Sequence, residues 1–190
     1  PHVVIQPNSF QIDKRYISRL KKDFEDITIS KSYSGEGIVI SNDKAKGVII
    51  KGIDKSEKNI IEFFENFTSQ SDLNNFHSNK VFIGSELAFN FKLKKDDTIN
   101  LMTSSFVGTP LGNLPKQENF KVAGIFNTGF IEFDQNVIFI NIEDALSIFN
   151  KDDKDQNIEI YLEDPLKANF YKENIQKLNE NYFIYTWSDL

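Results

Sequence analysis

Apolar residues recur at helical spacing from Ile12 through Tyr16, Ile17 and Leu20 to Phe24, with Lys14, Arg15, Lys21 and Lys22 on the opposite face. That periodicity predicts an amphipathic helix, and the β-rich stretch 2–6 before it predicts a strand. Strands follow at 27–32, 37–42 and 46–53, the last two separated by the turn-prone Ser41-Asn42-Asp43. Residues 60–67 predict a short helix, and the polar stretch 66–80 marks a boundary between two lobes. Beyond it, VFIGSELAFNFKLKKDDTINLM reads as a short strand and a short helix leading into a long strand pair. Phe130, Glu132 and Asp134 then alternate with Ile131 and Phe133 as strand positions with one buried and one wet face. Asn141 stands as the N-cap of a helix with Glu143 and Asp144 in its positive first turn. The charge run KDDKDQ at 151–156 reads as a solvated loop. Residues 157–163 form a strand, Asp164-Pro165 opens a helix that runs to about 179, and 182–187 is the last strand.

Two β-α-β halves therefore flank a mostly β insertion. The fold class is α+β in two lobes: residues 1–79 and 151–190 form a mixed βαβ sheet lobe, and 80–150 form an inserted β-rich lobe. Trp187 and the phenylalanines read as core packing, not as a ligand box.

The connection at 103–116 departs from an ordinary turn. It has the Gly and Pro a turn needs, yet it carries Phe106, Leu111 and Leu114. Pro110 and Pro115 stiffen it, while Gly108 and Gly112 permit tight bends. An apolar tip on a stiff support suits a partner's hydrophobic groove; in the competing arrangement Leu111 and Leu114 fold back on the lobe.

Composition narrows the function. With 39% apolar residues and 18 Phe among 190 residues the chain is not disordered. The 28 acidic residues outnumber the 22 basic ones, and the net charge of −6 argues against nucleic acid or an anionic membrane surface as the main partner. Cysteine is absent, as suits an oxidising compartment but also many cytosolic domains. The apolar runs are too short to span a bilayer and there is no signal-peptide pattern, so the chain reads as soluble. It begins at Pro1 and stops at Leu190 soon after an aromatic strand, which reads as a segment of a longer protein.

Catalytic chemistry finds no support. Only His2 and His77 are present, with no nucleophile and base in recognisable order. Asp96-Asp97 and Asp152-Asp153 lie in turn-like stretches, and Gly35-Glu36-Gly37 has Ile40 where a third glycine is needed and no phosphate-loop lysine. The expectation is a non-enzymatic domain without cofactor or metal.

The order IG-S-x-LA, L-K-x-x-D, F-x-V-x-GIF-x-x-G and D-x-N-x-x-x-x-x-I-x-DA resembles the periplasmic domain of the lipoprotein-releasing ABC transporter permeases of the LolC/LolE family. The strand ending Gly52-Ile53-Asp54 and the stretch Ile160 to Lys167 extend the match, which covers most of 45–190. The resemblance implies a MacB-like periplasmic core domain, with 1–79 and 151–190 a membrane-proximal, Porter-like lobe and 80–150 a Sabre-like lobe. It implies periplasmic placement, transmembrane helices outside this chain, and ATP hydrolysis by a separate subunit, LolD. It also implies a lipoprotein substrate and a second permease subunit, LolE-like or a second copy.

In LolC-type members the segment 103–116 is an outstretched β-hairpin, the hook, that captures the periplasmic carrier LolA, and its T-P-x-G-x-x-P pattern stands here as Thr109-Pro110-Leu111-Gly112-Asn113-Leu114-Pro115. The implied partner-binding set is Phe106, Thr109, Pro110, Leu111, Gly112, Asn113, Leu114, Pro115 and Gln117. At the hook's base the family carries basic residues where this chain has Asn100 and Glu118, and only Gln117 matches. The pattern sides with LolC or a hybrid LolF, since LolE lacks it. The alternative is a MacB- or FtsX-type permease that binds an outer-membrane adaptor or a murein hydrolase activator.

Overall fold

A computed structural model describes residues 1–8, 12–24, 26–68, 73–110, 112–178 and 181–189. They divide into two units, residues 1–32 with 152–190, and residues 33–151.

The first unit holds β1 (Val3–Gln6), α1 (Lys14–Asp23), the start of β2 (Ile27–Ser41), β8 (Asn157–Leu162), α6 (Ala168–Leu178) and β9 (Phe183–Thr186). The strands lie in the order β2-β8-β1-β9, each pair antiparallel. Each β-α-β half thus leaves a gap that a strand of the other half fills, the split arrangement of ferredoxin-like folds. Tyr16 and Leu20 of α1 and Ala168 and Ile175 of α6 share a core with Val3, Ile5, Ile158, Ile160 and Ile184. Asp13 starts α1 by accepting from Arg15 N at 2.9 Å. Asp164 caps a 3-10 turn, Pro165–Lys167, that leads into α6.

The second unit contains the rest of β2, then β3 (Lys44–Ile53), α2 (Lys58–Phe67), β4 (Lys80–Gly84), α3 (Ser85–Phe91), β5 (Thr98–Thr109), β6 (Gly112–Phe126), α4 (Ile131–Asn136), β7 (Val137–Asn141) and α5 (Ile142–Ile148). Its strands run β3-β7-β4-β6-β5-β2, and β2 pairs again with β3, which closes the ring. The parallel pairs of the fold, β3 with β7 and β4 with β6, are both here.

Strand alternation fills the ring. Val39, Val48 with Ile50, Val81 with Ile83, Ile99 with Leu101, Phe120 with Val122, and Ile138 with Ile140 are all buried in one cluster with Leu87, Phe91, Ala145 and Ile148 from α3 and α5. The intervening residues Phe82, Ala123, Phe126 and Phe139 face the other way and pack with Ile60 and Phe64 of α2. Phe64 and Phe82 lie 4.4 Å apart between ring centroids. The many phenylalanines mainly build this outer layer, which a ring with one helix-covered face requires.

Two differences from the sequence reading have local causes. The division falls at 32/33 instead of 79/80, because β2 and β3 are needed to close the ring and α2 to cover its outer face. Residues 131–136 are helical, not a strand. Asp134, only 1% exposed, accepts from Thr128 N at 3.1 Å and Thr128 Oγ1 at 2.6 Å, so its carboxylate ties the helix to the loop before it. Phe130 and Ile131, which the strand reading put on opposite faces, are both in solvent at 74% and 63% exposure.

The β2–β3 turn has the backbone of a tight hairpin, with φ of 49° at Asn42 and 60° at Asp43. Glycine adopts the second position without penalty. Asp43→Gly is expected to stabilise the chain by about 0.5–1 kcal/mol, read as a rise in the denaturant midpoint at unchanged slope. The Asp96-Asp97 turn survives in the same way, with Asp96 at φ 71° and the Asp97 carboxylate accepting from Lys94 N at 2.9 Å.

Candidate partner-binding hairpin

The segment 103–116 forms a β-hairpin, the outer end of β5 and β6. From Thr98↔Lys121 to Met102↔Gln117 the two strands pair as part of the ring, the register shifts, and pairing resumes from Phe106↔Pro115 to Thr109↔Gly112. The connection is Pro110 and Leu111, and Leu111 lies outside the described residues. Gly112 has φ 119°, a conformation only glycine takes readily, and Thr109 Oγ1 donates to its carbonyl at 2.7 Å.

Exposure changes sharply along the same two strands. Leu101 and Phe120 are fully buried in the ring, whereas Phe106, Val107 and Leu114 are 57%, 45% and 55% exposed. Gly108, Pro110, Gly112, Asn113 and Pro115 are exposed as well. Leu114 has not folded back, and the apolar side chains of the ribbon are about half exposed to solvent. Val107 belongs with Phe106 and Leu114 here; its strand register opposite Leu114 shows this, and its small size hid it in the sequence.

The root of the ribbon is fixed. Thr103 Oγ1 donates to Ile148 O at 2.8 Å, Lys116 Nζ donates to Ser147 O at 2.6 Å, and Asn150 Nδ2 donates to Phe106 O at 3.2 Å. All three tie β5 and β6 to the C-terminal end of α5, where free carbonyls and the negative end of the helix dipole favour a lysine. Sequence reading found none of these tethers, because each joins residues more than 30 positions apart. Lys116→Met keeps the alkyl stem and removes the ammonium. It is expected to cost about 1–2 kcal/mol and to speed amide exchange in 104–115 while leaving exchange in β4 and β7 unchanged.

The remaining base positions are polar. Gln117 Nε2 lies 3.5 Å from Met102 Sδ, Asn100 Nδ2 donates to Asn119 Oδ1 at 3.0 Å, and Glu118 meets Lys116 at 3.6 Å. The predicted set Phe106, Thr109, Pro110, Gly112, Asn113, Leu114 and Pro115 is gathered on one ribbon; Gln117 sits at its root, on the ring side of the register shift. His2 Nδ1 accepts from Leu162 N at 2.8 Å, and His77 Nδ1 lies 3.2 Å from Ser78 O. Among the described residues there is no grouping of His, Asp and Glu that would hold a metal ion.

The fold has solved counterparts. The periplasmic region of MacB from Actinobacillus actinomycetemcomitans superposes with a TM-score of 0.56 at 12% identity, over 97% of this chain and 87% of that one. The extracellular domain of the noncanonic ABC-type transporter YknZ from Gram-positive bacteria gives 0.56 at 10% identity, over 97% and 98%. In sequence, the chain is 31% identical to LolC, the lipoprotein-releasing system transmembrane protein, of Xylella fastidiosa (strain Temecula1) over 72 residues, 38% of this chain and 17% of that protein. It is 23% identical to LolC of Neisseria meningitidis serogroup B over 82% of this chain and 38% of that protein. The fold is that of the MacB-like periplasmic domains, and the sequence is similar to LolC permeases. A membrane protein of Buchnera aphidicola (Schizaphis graminum), described only as uncharacterized, is 28% identical over 98% of the chain and 46% of its own length. No protein-family model matches the chain. The chain spans less than half the length of the curated relatives it matches. No helix among its described residues is long and apolar enough to cross a membrane.

Proposed function

We propose that this domain is the carrier-recruiting part of a LolC- or LolF-like permease, standing on the periplasmic side of the inner membrane. The ribbon 103–116 inserts Phe106, Val107 and Leu114 into the apolar groove of the lipoprotein carrier LolA. The observation that carries the reading is a fixed root under an exposed apolar tip. Preorganisation of this kind lowers the ordering penalty of docking, and the prolines reinforce it. The domain itself performs no catalysis. ATP hydrolysis falls to LolD, the substrate is a lipoprotein, and a LolE-like subunit or a second copy completes the permease.

Calorimetric titration of LolA into the purified domain tests this. One-to-one binding with Kd of about micromolar order is expected, near −8 kcal/mol. Failure of LolA to bind, with an outer-membrane adaptor or murein hydrolase activator binding in its place, would transfer the domain to the MacB or FtsX type.

A further inference from the structure

The chain carries a net charge of −6, yet one corner of the ring has the opposite sign. Lys80 and Lys121 are register partners on the parallel strands β4 and β6. Val81 and Val122, the next residues, are buried inside the ring, so strand alternation turns both lysines outward. Like charges side by side on a sheet work against its stability.

The backbone gathers three more lysines there. Asp96 N donates to Val122 O at 2.9 Å and Val122 N donates to Asp97 O at 2.8 Å, which lays the segment holding Lys92 and Lys94 against the strand of Lys121. Asn42 Nδ2 and Lys44 Nζ donate to the last carbonyls of α3, Phe91 O at 3.0 Å and Asn90 O at 2.5 Å, which brings Lys44 to the start of that segment. Lys44, Lys80, Lys92, Lys94 and Lys121 take part in no ion pair among the described residues. Two carboxylates that reach the corner are engaged by backbone amides instead, Asp97 by Lys94 N at 2.9 Å and Asp144 by Asn79 N at 2.8 Å. Phe89, in the last turn of α3 between Lys44 and Lys92, is 81% exposed.

Charge and extent select the occupant. A nucleic acid or an anionic bilayer spreads its charge over a length or a plane larger than this corner, so much of it would face the acidic remainder of the surface. A short acidic segment of a protein fits within the lysines. Phe89 offers it one apolar anchor inside a charged rim, the usual arrangement of a protein interface.

We propose that this corner docks a short acidic protein segment that carries an apolar side chain beside its carboxylates. The surface is separate from the ribbon 103–116, and its occupancy does not rest on what the ribbon binds.

The probe is a fluorescently labelled peptide of three Glu-Glu-Leu-Glu repeats, titrated by anisotropy. Saturable binding is expected, and raising the salt from about 50 to about 500 mM should weaken it about tenfold. The same peptide with Gln for Glu should bind at least about tenfold more weakly. Lys121→Glu places an opposite charge beside Lys80, so it should weaken the peptide about tenfold and yet melt no lower than wild type. Lys94→Glu, at an exposed position outside the strands, is the second charge variant, and Phe89→Ser should weaken binding severalfold with no change of charge. Leu114→Asp should bind the peptide like wild type. Absence of saturable binding, equal binding of the Gln peptide, or wild-type affinity in both charge variants overturns the site. Wild-type affinity in Phe89→Ser overturns the apolar anchor, and loss of the peptide in Leu114→Asp moves the binding to the ribbon and overturns the corner. Tighter binding of oligodeoxythymidylate or of phosphatidylglycerol vesicles than of the peptide overturns the choice of a protein segment.

Discussion

Leu114→Asp is expected to weaken LolA binding by about 2–4 kcal/mol while the melting temperature stays within a degree or so of wild type. The asymmetry follows from position. Leu114 is 55% exposed on a ribbon with nothing over it, so aspartate there meets water in the free domain and an apolar groove only in the complex. Leu111→Asp carries the same expectation from sequence alone, since Leu111 lies outside the described residues. Lys154→Asp is the control. Lys154 pairs only loosely with Asp152, at 3.4 Å and with both side chains more than half exposed, and its replacement should change binding and stability by less than about 0.5 kcal/mol. Wild-type affinity in Leu114→Asp would remove the ribbon from the interface. A large drop in melting temperature would make Leu114 a packing residue instead.

Gly84→Ala is expected to be the most damaging single methyl in the second unit. A Cβ at Gly84 would stand 2.0 Å from the carbonyl oxygen of Asp134 and 2.6 Å from its carbonyl carbon and Cα. Those are backbone atoms, and α4 cannot retreat without giving up the hydrogen bonds from Thr128 and Ser85 to the buried Asp134 carboxylate. A loss of at least about 3 kcal/mol follows, or roughly 6–12 °C in melting temperature for a chain of this size. Gly47→Ala provides the comparison: a Cβ there meets nothing within 4 Å, and its effect should stay below about 0.5 kcal/mol. Equal melting of the two variants would mean that α4 is free to move off β4.

What the sequence made legible was local. The face of α1, the Asn42-Asp43 turn and the N-cap at Asn141, whose Oδ1 accepts from Glu143 N at 3.0 Å, each depend on residues a few positions apart. So did the ribbon, because its glycines, prolines and stranded apolar residues lie within one short stretch. Ring closure was not legible, since pairing of β3 with β7 joins segments nearly ninety positions apart and parallel pairs leave no hairpin signal. The helix at 131–136 was misread because alternation over five residues fits a strand until Asp134 is known to be buried and bonded. Asp144 taught the same lesson. Its place in a first turn predicts a role for the helix dipole, yet its carboxylate accepts from Ser78 Oγ at 2.7 Å and Asn79 N at 2.8 Å, holding the entry to β4.

The ribbon is a continuation of two ring strands, not an appendage hinged to the surface, and that has a mechanical meaning. A pull on the tip along its length draws both strands the same way and loads in shear the pairs β5–β2 and β6–β4, where several hydrogen bonds share the tension instead of being peeled one after another. Within the ring β2 grips the far side of β5 and β4 the far side of β6, so the load spreads to strands that touch no partner. The register shift between Met102 and Phe106 is spanned by the tethers of Thr103 and Phe106, so bending is left to the tip beyond them. The ribbon is thereby built as a short spring on a stiff mount.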